Sequence, residues 1–129
     1  MTHGQMVNAC MDLLEALRLN GLPVIASKTA TVRAKLETGR YIDTGREGHA
    51  DITACICGEY VQIECKVGRD KQRDGQQDME RYVKSAGGVY LLVNELQVIR
   101  DYLRARGLLT VKWEPKNRLG LCMESRVTK

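Results

Sequence analysis

Asp51, Glu64 and Lys66 are the residues whose types and spacing most directly offer chemistry. They lie in Gly48-His49-Ala50-Asp51-Ile52-Thr53-Ala54-Cys55-Ile56-Cys57-Gly58-Glu59-Tyr60-Val61-Gln62-Ile63-Glu64-Cys65-Lys66, a segment that reads as one β-hairpin. Gly58-Glu59 is a Gly-X pair of the kind that makes a two-residue II′ turn. A turn there opposes Cys57 to Tyr60, Cys55 to Gln62, Thr53 to Glu64 and Asp51 to Lys66. Side chains alternate along a strand, so Asp51, Glu64 and Lys66 share one face. Ile52, Ile56, Val61, Ile63 and Val67 point the other way. Opposed residues lie about 5 Å apart and diagonal ones about 7–8 Å, so both carboxylates reach one cation with an ammonium beside it. Metal-assisted phosphodiester hydrolysis asks for such a set.

A Glu-x-Lys by itself is ordinarily a solvated ion pair on an exposed strand. Three features shift the balance: Asp51 shares the face, the opposite face is apolar, and Gln76 opens the next helix on the side of Met79 and Val83. His49, in the turn before the strand, has no visible acid partner and reads as a hydrogen-bonding loop residue rather than a general base. Tyr41 reads as a half-buried loop residue before a base-stacking one.

The elements that must position these residues follow from periodicity. Met6, Cys10, Leu13, Leu14 and Leu17 mark a first helix, stopped by Asn20-Gly21 and Pro23,. Residues 22–34 have room for one short strand, and residues 33–49 read as a loop or loose hairpin. After the central hairpin comes a polar loop. Asp74 is the expected N-cap of a second helix, with Gln77 three residues on, Met79, Val83 and Ala86 as its apolar stripe, and Gly87-Gly88 at its end. Val89–Val93 is a continuous apolar run, expected as a strand covered on both sides. Asn94 and Gln97 form an expected capping pair for a third helix, with Leu96, Ile99 and Leu103 inside and Gly107 after it. Strands at 108–113 and 119–124 would flank a turn at 115–120. A helix between the Glu64 strand and the Val89 strand implies a crossover, hence a mixed sheet in an α/β fold.

At 129 residues the chain fits one domain, residues 1–129,. Its 43% hydrophobic and 28% charged residues are those of a globular protein, and no apolar run approaches a membrane span,. The N-terminus lacks a signal-peptide pattern, so an intracellular, cytoplasmic protein is expected. Reduced thiols are then expected for the five cysteines, with Cys10 and Cys65 buried,. A zinc site from Cys55, Cys57 and His49 or His3 is the weaker alternative, since Cys-x-Cys is poor spacing for it. Twenty basic residues against sixteen acidic ones give a net charge of +4. Lys28, Arg33, Lys35, Arg40 and Arg46 precede the acidic pair, and Arg69, Lys71 and Arg73 follow it. Clusters flanking the pair favour a phosphate-backbone role. A further group, Lys112, Lys116, Arg118, Arg126 and Lys129, occupies the C-terminal end.

Taken together, Gly48-His49-Ala50-Asp51-Ile52, Ile63-Glu64-Cys65-Lys66, Gln76 and Gly87-Gly88-Val89-Tyr90-Leu91-Leu92-Val93 resemble the virus-type replication-repair nuclease (VRR-NUC) domain of the PD-(D/E)XK superfamily. The resemblance spans about residues 45–104. It implies a restriction-endonuclease-like α-β-β-β-α-β core, here extended by a C-terminal helix and β-hairpin. Small stand-alone members, often from phages, act on branched DNA such as four-way junctions as homodimers, which would place this chain in a bacterial host or phage-infected cell. Carried over by residue, Asp51 and Glu64 would ligate Mg²⁺ or Mn²⁺ with the backbone carbonyl of Cys65. Lys66 would orient or deprotonate the attacking water, and Gln76 would position Lys66 or that water. Ala50 stands where the superfamily has its proline. The family often has a metal-reaching glutamate in the first helix; here Glu15 falls opposite that helix's apolar face and Gln5 sits near its edge. A less selective nickase, a nuclease subunit working with a helicase, and a binding module without catalysis are the alternatives.

Overall fold

The computed structural model describes residues 1–29, 33–35, 37–43 and 48–109. Helix α1 (His3–Leu19) opens on a capping box: the Gln5 N–H donates to Thr2 Oγ1 at 3.1 Å and the Thr2 N–H to Gln5 Oε1 at 2.8 Å,. Met6, Val7, Cys10, Leu13, Leu14 and Leu17 bury one stripe of it,. Strands β1 (Val24–Lys28), β2 (Arg33–Lys35), β3 (Tyr41–Asp43), β4 (Ile52–Ile56) and β5 (Glu59–Cys65) follow, then α2 (Asp74–Ser85), β6 (Val89–Val93) and α3 (Gln97–Ala105). All three helices close in a Schellman arrangement, with Leu22, Gly88 and Leu108 N–H groups donating to the carbonyls of Leu17, Val83 and Leu103,.

The main sheet has the order β1-β4-β5-β6, and β2 and β3 form a separate antiparallel ribbon. β4 runs antiparallel to both β1 and β5, while β6 is parallel to β5 with α2 as the crossover,. The fold is therefore α/β with a mixed sheet. One sheet face carries Ile52, Ile56, Val61, Ile63 and Cys65 in a core with the buried stripe of α1 and with Ile99 and Leu103 of α3. The other face carries a smaller cluster in which Met79 and Val83 of α2 pack with Ala50 and Tyr90. Burying the branched side chains of β4 and β5 in the larger core rigidifies the ribbon that positions Asp51 and Glu64,.

The hairpin register differs from expectation by two residues. Ile52 pairs with Ile63, Ala54 with Val61 and Ile56 with Glu59, so the turn residues are Cys57 and Gly58. Their φ values, 49° and 86°, are both positive, which makes this a I′-like turn rather than the expected II′ turn at Gly58-Glu59,. Contacts outside the hairpin select it. Glu59 accepts from Arg106 Nε at 2.9 Å and from the Tyr102 hydroxyl, which draws it into the ladder. The Cys57 N–H donates to the Pro23 carbonyl at 2.8 Å. A shift of two preserves the alternation, so every side chain keeps its face. Carried one step past Ile52–Ile63, the register sets Asp51 opposite Glu64 rather than Lys66.

Three smaller expectations also change. Arg73, not Asp74, is the N-cap of α2, and Gln76 rather than Gln77 is its third residue. β6 is an edge strand with Leu92 44% exposed, so its apolar run is not covered throughout. α3 begins at Gln97 with Leu96 flanking it, because a short turn through Glu95 and Leu96 replaces the Asn94 cap. From residue 110 onward the expected C-terminal hairpin, with the basic group Lys112, Lys116, Arg118, Arg126 and Lys129, lies outside the described residues. Among the described residues no helix is long and apolar enough to cross a membrane.

Cys57 pays for its left-handed backbone, which asparagine tolerates better. Cys57→Asn should raise unfolding free energy by about 0.5–1 kcal/mol in urea denaturation; a loss of stability would show that the turn is not held in this conformation.

Candidate active site

Asp51, immediately before β4, and Glu64, on β5, stand at the end of the β4–β5 ribbon nearest the start of α1. The Cys65 N–H donates to Asp51 Oδ2 at 2.9 Å, tying that carboxylate across the hairpin. His3, the first residue of α1, places Nε2 3.0 Å from the same oxygen. Glu64 is 2% exposed, and its Oε2 is buried without a hydrogen-bond partner. Its Oε1 lies 3.9 Å from Lys66 Nζ, a long contact for an ion pair. Lys66 in turn donates to Gln76 Oε1 at 2.9 Å, and the same oxygen accepts from the Arg73 N–H at 2.9 Å. Gln76 thus caps α2 and fixes the lysine with one atom.

A polar cavity of about 300 Å³ is lined by His3, Asp51, Glu64, Lys66, Lys71, Arg73 and Gln76 with Asp70. All four residues expected to do chemistry meet there. Cys65 contributes its backbone N–H to Asp51, and its side chain lies in the core 3.7 Å from Cys10 Sγ. Of the expected DNA-contacting residues, Lys71 and Arg73 line the cavity, Arg69 is exposed in the same loop, and Lys28 and Arg40 are exposed elsewhere. Lys28 is hydrogen-bonded to Asn8. Arg33 and Lys35 fall on β2, their side chains outside the described set, as is all of Arg46.

Burial first, and then the neighbouring Asp51 carboxylate, push the Glu64 carboxyl up to about 8, against the pull of Lys66 and Arg73,. Two acids are held close with one oxygen unsatisfied. That arrangement fits a divalent cation, which supplies the missing partner to Oε2 and relieves the repulsion. His3, Asp51 and Glu64 each offer a ligand atom, all within 4.8 Å of one another.

His3 is the residue that sequence reasoning missed, having considered it only beside cysteines for zinc. Two signals were available: Thr2-x-x-Gln5 is a capping box, and His3 lies three, four and seven residues before Met6, Val7 and Cys10 on the buried stripe,. Among the described residues Cys55 and Cys57 join no such cluster. Gln5 is occupied by its cap and Glu15 by Arg18, so neither reaches the acids. His49 Nδ1 lies 3.2 Å from Thr29 Oγ1, as a hydrogen-bonding loop residue should.

The approach to Asp51 also has a steric basis. Gly48 adopts φ +78°, and a Cβ there would fall 2.0 Å from the Gly75 carbonyl oxygen, so the start of α2 lies directly against this loop,. The Ala50 N–H donates to Gln62 Oε1 at 3.3 Å, a bond that a proline at this position could not make. No family model matches the chain, and no curated protein matches it.

Two outcomes follow. Gly48→Ala should cost at least about 2 kcal/mol of stability, read in urea, since backbone meets backbone; a neutral effect would mean the loop and α2 are not in contact. In EDTA, the raised Glu64 makes the folded state bind more protons than the unfolded one between about pH 4.5 and 8, so stability falls as pH rises through that window,. Glu64→Gln should flatten this part of the profile and leave the variant about 1–4 kcal/mol more stable than the parent near pH 8. An equally steep profile in Glu64→Gln would assign the dependence to another group.

Proposed function

We propose that this chain is a divalent-cation-dependent DNA endonuclease with a PD-(D/E)XK type of site, acting on branched DNA as a homodimer. The observation that carries the reading is the buried Glu64 carboxylate, with one oxygen unpaired, set beside Asp51 and within reach of Lys66. A protein that only bound nucleic acid would gain nothing from two acids facing a polyanion. The neighbouring Lys71 and Arg73 suit a phosphate backbone entering the same cavity,.

In this reading Asp51, Glu64 and the Cys65 carbonyl hold Mg²⁺ or Mn²⁺. When bound, the cation would polarise a phosphoryl oxygen and lower the pKa of a water molecule. Lys66 orients or deprotonates the attacking water and offsets charge developing on the phosphate. Its ammonium is restrained by Gln76, so it meets the reacting group with little reorganisation,. Gln76 is in turn fixed by the Arg73 N–H, which makes it a positioning residue rather than a proton carrier. Lys71 and Arg73 anchor the strand to be cut, and the Arg73 charge also favours the ionised Glu64 that a cation requires.

The branched substrate and the dimer rest on the resemblance to VRR-NUC domains. One site cuts one strand per binding event, and two-fold pairing supplies two cuts.

Purified protein should cut a four-way junction with Mg²⁺ or Mn²⁺ in preference to linear duplex, and not in EDTA. Asp51→Ala and Lys66→Ala should each lower cleavage by about 10³-fold or more, several kcal/mol of transition-state stabilisation, while retaining DNA binding in a gel-shift assay. Cleavage undiminished in EDTA, or either variant cutting at the parent rate, would contradict these roles. Equal cutting of junction and linear duplex would leave a nickase of low selectivity.

A further inference from the structure

We propose that His3 is a further protein ligand of the cation, the third side-chain donor beside Asp51 and Glu64, and that the centre it completes selects Mn²⁺ over Mg²⁺ more strongly than carboxylates alone would. The inference rests on the metal-dependent reading above and deepens it. The donor set is His3 Nε2 with one oxygen each from Asp51 and Glu64, gathered within 4.8 Å. The His3 Nε2 to Asp51 Oδ2 distance is 3.0 Å. Two donors on adjacent corners of an octahedron with bonds of about 2.1 Å stand about 3.0 Å apart, so the pair is already at the spacing that ligation needs. The independent sign of a missing ligand is the buried, unpaired Oε2 of Glu64, a residue 2% exposed that lines the same cavity as His3.

The ring is held in place by the helix it begins. The Thr2–Gln5 capping box fixes the first turn, and Met6 and Val7, buried one turn later, fix its rotation against the sheet. His3 therefore reaches the acids without ordering a loop, and its own side chain, 47% exposed, leaves the ion open to water or substrate. The positive end of the α1 dipole lies beside the two carboxylates and partly offsets their repulsion. An imidazole changes which ion fits best. Mg²⁺ strongly prefers oxygen donors and retains its waters, whereas Mn²⁺ accepts nitrogen more readily. A hydrogen bond from His3 to Asp51 alone would give no such discrimination.

Calorimetric titration of the full chain with MnCl₂ and with MgCl₂, together with pulsed EPR of the Mn²⁺ complex, tests this without reference to cleavage. The parent should show ¹⁴N modulation from a directly bound imidazole. His3→Ala should lose that modulation and bind Mn²⁺ about tenfold or more weakly, with Mg²⁺ binding changed by no more than about threefold. His3→Gln keeps a hydrogen-bonding amide without an imidazole and should behave as His3→Ala does; if it restores Mn²⁺ affinity, His3 is only a hydrogen-bond partner and the proposal fails. An unchanged Mn²⁺ to Mg²⁺ ratio in His3→Ala, with Asp51→Ala abolishing binding, would overturn the ligand role and leave the metal centre standing. Absence of binding of either ion to the folded parent would overturn both.

Discussion

The burial of the Glu64 carboxyl beside Asp51 is the constraint around which the described structure is organised. A nearly inaccessible carboxylate with an unpaired oxygen and a like charge next to it is costly, and folding does not remove the cost,. Instead the surrounding elements hold the pair where a cation would relieve it. The Cys65 N–H ties Asp51 across the hairpin, Lys66 approaches from the end of β5, and the first turns of α1 and α2 bring His3 and Gln76 to the same cavity. The same strain raises the Glu64 pKa, since keeping a proton lessens it,.

The scaffold converts that local cost into fixed geometry. A β4–β5 ribbon whose Ile52, Val61 and Ile63 are fully buried in one core with α1 and α3 cannot slip without exposing them,. Gly48 lets the loop before Asp51 lie against the start of α2, and the Gln76 side chain there joins the helix cap to Lys66. The lysine ammonium and the acid pair are thus set relative to one another by the contact of the Gly48 loop with α2 and by the Gln76 side chain. A site of the proposed kind loses function through small displacements, since reacting groups must be placed to within a fraction of an ångström.

Much of this was legible in the sequence, and the parts that were not share a cause. The face shared by Asp51, Glu64 and Lys66 follows from strand alternation, and it survived a register error because the slip was by two residues,. The error arose since Gly58 suits either a II′ turn at its first central position or a I′ turn at its second; the choice was made by Tyr102, Arg106 and Pro23, which are distant in sequence. The cap of α2 moved by one residue for a similar reason, Gln76 being claimed by both Arg73 and Lys66. β6 reads as fully covered because parallel strands usually are, but here it ends the sheet. His3 escaped notice because its capping box and its place on the buried stripe mark a helix start but not the Asp51, 48 residues away, that it meets.

The central claim is that Asp51 and Glu64 form one cation site. The most direct test is a crystal of the protein grown with MnCl₂ and measured at the manganese absorption edge. The account predicts a single strong anomalous peak within about 2.3 Å of a carboxylate oxygen from each of the two residues. Contradiction would be a peak bound elsewhere, or well-ordered Asp51 and Glu64 side chains with no peak between them at saturating manganese.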